Sequence, residues 1–146
     1  MGRRGLLSAA LVGGVLFAGC GGDEGSEVPT FTGSDEEQIA GTVNAMTAAI
    51  AAGDGATACG LMTERGQRVM LQIGRQAGGE EVADCAAAVP AASSFGFDPG
   101  DYRVTAAEVA ISGNPPSSAE ANCDYGAFQL ERTDEGWRVN APWCVT

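Results

Sequence analysis

The hydrophobic pattern of the chain changes period once, after a Gly- and Pro-containing loop at residues 90–100, and that switch limits the fold more than any other feature. Before it, Ile39, Val43, Met46 and Ile50 recur at spacings of four, three and four, which draws one apolar stripe along a helix. After it, apolar and polar residues alternate, as expected where successive side chains point to opposite faces of a sheet. Helices that come first, followed by short strands whose connections suit hairpins, predict an α+β domain with an antiparallel sheet.

The helical half carries its own punctuation. Ser34-Asp35-Glu36-Glu37 fits a capping box that opens the first helix, Gly53 closes it, and Asp54 can cap a short second helix bearing Cys59 and Met62. Thr63 can start a further helix with Val69, Met70 and Ile73. The break at Gly74–Gly79 predicts one more helix from about Glu80 to Val89, with Cys85 on its inner face and Pro90 ending it. In the second half Tyr102–Ile111 is the first strand, with a bulge at Ala106-Ala107, and Ala119–Tyr125 is the next. Phe128–Arg132 and Trp137–Val145 flank a turn at Thr133-Asp134-Glu135-Gly136. That hairpin sets Leu130 against Val139 and Phe128 near Ala141, and brings Cys144 toward the strand bearing Cys123.

The amino-terminal segment is different in kind. Arg3 and Arg4 precede an apolar run from Leu6 to Phe17, then small residues and Cys20, the order of a bacterial lipoprotein signal cut before a lipid-bearing cysteine. The run is about twelve residues, against roughly twenty for a membrane-spanning helix. The organisation expected is a signal peptide at 1–19, a lipidated Cys20 with a flexible acidic tether at 20–34, and one domain at 35–146, outside the cytoplasm and anchored to the cell membrane. The two arginines also fit the twin-arginine export pattern.

Composition excludes several classes of function. All nineteen acidic residues follow Cys20, against six of the eight arginines, so the exported part carries a formal charge of −13 and is poorly suited to nucleic acid. The chain has no histidine, which rules out Ser-His or Cys-His catalysis by its own side chains. With Cys20 assigned to lipid, Cys59, Cys85, Cys123 and Cys144 remain. An even set outside the cytoplasm predicts disulfides, here Cys59–Cys85 and Cys123–Cys144, each joining neighbouring elements of like type. No C-x-x-C spacing argues for metal, no calcium loop is present, and no phosphate-binding glycine motif suggests a nucleotide, so no cofactor is expected.

The first helix running into AAGDGATACGLMTERGQRVM, a cysteine-bearing helix, and strands ending in FQLERTDEGWRV together resemble the nuclear transport factor 2-like superfamily. That resemblance spans Ser34 to about Thr146. It implies a strongly curved sheet wrapped around helices, a cone with an apolar pocket, hosting either binding domains or isomerases, dehydratases and cyclases that use a pocket carboxylate with a tyrosine. The tyrosines here are Tyr102 and Tyr125, and the strand acids are Glu108, Glu120, Asp124 and Glu131. Carboxylates on strand surfaces and at helix starts have ordinary structural explanations. Trp137, Trp143, Phe128, Tyr125 and Met46 could line the pocket or fill the core, as could Met62 and Met70. The function expected is a non-catalytic, lipid-anchored envelope domain that binds a small apolar ligand or a protein partner. A metal-independent isomerase or dehydratase is the alternative.

Overall fold

A computed structural model describes residues 27–96 and 98–143. Four helices, α1 (Asp35–Ala52), α2 (Gly55–Gly60), α3 (Glu64–Gly78) and α4 (Cys85–Ser93), precede strands β1 (Val109–Ser112), β2 (Ser118–Cys123), β3 (Gly126–Thr133) and β4 (Gly136–Val139). The strands form one curved, unclosed antiparallel sheet in sequential order. The fold is α+β, with helices against one face of the sheet. Ala119, Ala121, Phe128, Leu130, Trp137 and Val139 point into the core, while Glu120, Gln129 and Glu131 face water.

α1 forms where the sequence places it. Ser34 Oγ accepts from the Glu37 amide at 3.3 Å, Glu37 accepts from the Ser34 amide at 2.8 Å, and Gly53 ends the helix with φ at +72°. Ile39, Val43, Met46 and Ile50 are fully buried on its inner stripe. On its flank, Asn44 exchanges two hydrogen bonds with the backbone of Val104, at 2.8 and 3.0 Å, as a neighbouring strand would. This side chain ties the segment before β1 to the helix.

The last helix departs from expectation. α4 begins at Cys85 rather than Glu80, because Asp84 caps it by accepting from the Ala87 amide at 2.9 Å and Glu80 and Glu81 lie in the preceding turn. Pro90 lies inside α4 instead of ending it. A proline there lacks the amide that would bond to the Ala86 carbonyl. That carbonyl lies against Gly55 of α2, where any Cβ would collide with it. Gly74 of α3 meets Ala88 from the other side in the same way, so the alanine-rich α4 is packed closely between two helices. The Cys59–Cys85 disulfide joins α2 to α4 with Cα atoms 6.1 Å apart, as the sequence predicts.

The strands are shorter than predicted. Thr105 and Glu108 form a capping box around a single 3-10 turn at Ala106–Glu108, so Ala106-Ala107 is not a bulge and β1 starts only at Val109. β2 ends at Cys123, opposite Gly126, which puts Asp124 and Tyr125 in a two-residue hairpin loop rather than on a strand. Leu130 does oppose Val139. At its end β4 is held on both edges: the Asn140 amide still donates to the Gln129 carbonyl of β3 at 2.8 Å, while on the outer edge the Val139 amide donates to Leu61 at 3.0 Å and its carbonyl accepts from Thr63 at 3.0 Å. Residues 28–31, placed by the sequence in the tether, also belong to the domain. Val28 packs over Gly60, and Phe31 over Gly41, where a Cβ would fall 2.6 Å from the ring.

Candidate functional site

Most of the residues that could have lined an apolar pocket are core. Phe128, Met46 and Met70 are fully buried, Trp137 and Met62 nearly so, and all belong to one continuous hydrophobic cluster with α1 and the sheet. Side chains of the protein itself therefore occupy the space that a cone would leave for a ligand. Trp143 is half-buried and lies edge-on to Tyr102, with ring centroids 6.3 Å apart.

The structure brings the two tyrosines together, but not around an acid from the candidate set. The Tyr102 and Tyr125 rings are 5.8 Å apart, and Tyr102 also packs edge-on to Phe128. Burial, with Tyr125 and Asp101 nearby, holds the Tyr102 hydroxyl above its ordinary pKa, which keeps it protonated at neutral pH. Tyr125 is more than half exposed at the hairpin tip. Glu108, Glu120, Asp124 and Glu131 are all exposed. Glu108 accepts from both the amide and the hydroxyl of Thr105, at 2.7 and 2.8 Å, and these bonds lower its pKa by stabilising the charged form. That is the opposite of the tuning a general base working near neutral pH would need.

A different arrangement stands beside the filled core. The first turn of α3 and the β3–β4 hairpin enclose an open cleft of about 660 Å³. Its walls are held by the Val139 bonds to Leu61 and Thr63, and by the Thr63 hydroxyl donating to Asn140 Oδ1 at 2.9 Å. Arg138 lines this cleft although it is only 9% exposed. It lies on the outward side of β4, opposite Glu131. Its guanidinium donates to the Trp137 carbonyl at 3.0 Å and meets Glu135 at 3.5 Å, while the Glu135 side chain is 81% exposed. Glu64, Glu131, Asp134 and Arg65 complete the charged lining.

Sequence reasoning misses Arg138, because alternation along Gly136–Val139 marks it as an ordinary outward polar residue. Tertiary packing buries it, with Arg138 lining both the cleft beside α3 and a depression beside Pro29, Thr30 and Phe31. Of the cysteines, Cys59 and Cys85 are joined and Cys123 is disulfide-bonded, while Cys20 and Cys144 lie outside the described residues. Among the described residues no three Cys, Asp or Glu side chains are grouped to hold a metal ion, and no helix is long and apolar enough to cross a membrane. Comparison of the chain with family models, with characterised proteins and with solved structures found no match in any of the three.

Proposed function

We propose that the protein is a lipid-anchored domain of the cell envelope, held through Cys20 and facing away from the cytoplasm, whose work is non-catalytic recognition at its surface. The filled interior carries the choice of surface over interior. With Phe128, Met46 and Met70 fully buried in one cluster, an apolar ligand would have to displace close-packed core, whereas the cleft at Arg138 is already open. A protein or polar partner is thus favoured over a small apolar one. Helices followed by a curved antiparallel sheet support the nuclear transport factor 2-like domain proposed from the sequence, in a form whose interior is filled.

An isomerase or dehydratase is less well supported, since the acids available to it are exposed and Glu108 is committed to its capping box. The anchor supports the localisation on sequence grounds, and Val28 packing on Gly60 leaves at most about 29 Å of extended chain between the domain and Cys20. Fractionation of cells expressing the native chain and Cys20→Ser, with intact-mass analysis of the mature protein, tests the proposal. The native chain should sediment with membranes and carry a lipid mass on Cys20, and the variant should do neither. An unmodified Cys20, or cleavage at another site, would overturn it.

A further inference from the structure

We propose that the cleft at Arg138 binds a short peptide that carries a free carboxylate together with additional cationic groups, Arg138 holding the carboxylate and the acidic rim the cations. This rests on the binding function proposed above and names its ligand class. A guanidinium taken out of water needs strong compensation, yet among the described residues the single carboxylate within ion-pair distance of Arg138 is Glu135, at 3.5 Å and with an 81% exposed side chain. A solvated, rotatable partner of that kind holds a cation weakly. Arginine presents five N–H donors, and the Trp137 carbonyl and Glu135 account for two. The planar fork matches the two oxygens of an incoming carboxylate.

The lining then decides which carboxylates fit. Glu64, Glu131, Asp134 and Glu135 outnumber Arg65 and Arg138, so a bare anion such as acetate or phosphate would meet a repelling rim. A ligand with ammonium groups beside its carboxylate meets opposite charge at both ends. The volume, about 660 Å³, falls within the range of roughly 300–1,000 Å³ common to small-molecule sites. The floor is also fixed in advance, because Val139, next to Arg138, is bonded on both sides to the α2–α3 corner.

Titration calorimetry at low ionic strength tests the assignment, using the 20–146 chain carrying Cys20→Ser and lysyl-lysine as the probe. The free dipeptide should bind. Its carboxamide form should bind roughly tenfold to hundredfold more weakly, and the form acetylated on all its amines should also weaken. Arg138→Gln should abolish the difference between the free acid and the carboxamide. Because that variant removes a buried side chain, Glu131→Gln provides a second measure: it is exposed, should leave the melting temperature unchanged, and should weaken the dipeptide by roughly twofold to fivefold. No binding of lysyl-lysine at millimolar concentration, or equal affinity for its carboxamide, would overturn the proposal. Either result would leave the membrane-anchored placement to stand or fall on the fractionation of Cys20→Ser alone.

Discussion

Replacing Asp35 by alanine should destabilise the domain by roughly 2–4 kcal/mol, far more than its place at the exposed start of a helix suggests. Asp35 Oδ1 accepts from the indole N–H of Trp137 at 3.0 Å, and both carboxylate oxygens accept from Arg132, at 2.8 and 2.9 Å. Trp137 is only 2% exposed, so without Asp35 its N–H is left unsatisfied at a cost of about 1–3 kcal/mol. The Arg132 pair has side chains 44% and 24% exposed, and after solvent screening contributes about 0.5–1 kcal/mol. A negative charge in the first turn of α1 adds about 0.3–1 kcal/mol. For a domain of this size the sum corresponds to a melting temperature lower by roughly 8–15 °C. Asp35→Asn keeps an oxygen for the indole and should cost only about 1–1.5 kcal/mol. Urea denaturation of both variants, with Trp137→Phe and the Asp35→Ala/Trp137→Phe pair completing a double-mutant cycle, measures each part. Equal losses for Asp35→Ala and Asp35→Asn, or a coupling with Trp137 below about 0.5 kcal/mol, would refute the account.

Changing Cys59 and Cys85 together to serine should cost roughly 3.5 kcal/mol by chain entropy for a separation of 26 residues, measurable as a lower urea midpoint than that of the native chain. Gly74→Val should destabilise by about 1–3 kcal/mol, because a Cβ there runs into Ala88. Gly53→Ala meets nothing within 4 Å, so it should show only the cost of its positive φ, about 1 kcal/mol. Glu108 has its pKa lowered by Thr105, so its stabilising share is present above the ordinary value of 4.5 and is lost as the pH falls through the folded value. Stability curves of native protein and Glu108→Gln should therefore differ at pH 6 and draw together below pH 4.5.

Three of the four helix starts were legible because each is local chemistry: Ser34, Asp54 and Thr63 cap the helices that follow them, and each bond spans three residues. So was the apolar stripe of α1, since period alone decides which side chains can be buried together. The Cys59–Cys85 pairing followed from placing two adjacent helical segments side by side. Some misplaced features were equally local, the Asp84 cap that starts α4 and the Thr105–Glu108 capping box before β1 among them, whereas others involve a neighbour distant in sequence. Pro90 is tolerated inside α4 with the Ala86 carbonyl set against Gly55, 31 residues earlier than 86. The outer edge of β4 is covered because Leu61 and Thr63, far back in the chain, bond Val139 there.

By itself the sequence determined the class of fold and the order of elements, both of which depend on spacing, capping and composition along a few neighbouring residues. Tertiary structure alone decided that Asp35 would serve Trp137 across 102 positions, that the cone would be filled, and that an outward arginine on β4 would lie buried at the edge of an open cleft. Burial and the meeting of charges depend on which surfaces the folded chain lays against each other, and no local pattern encodes that.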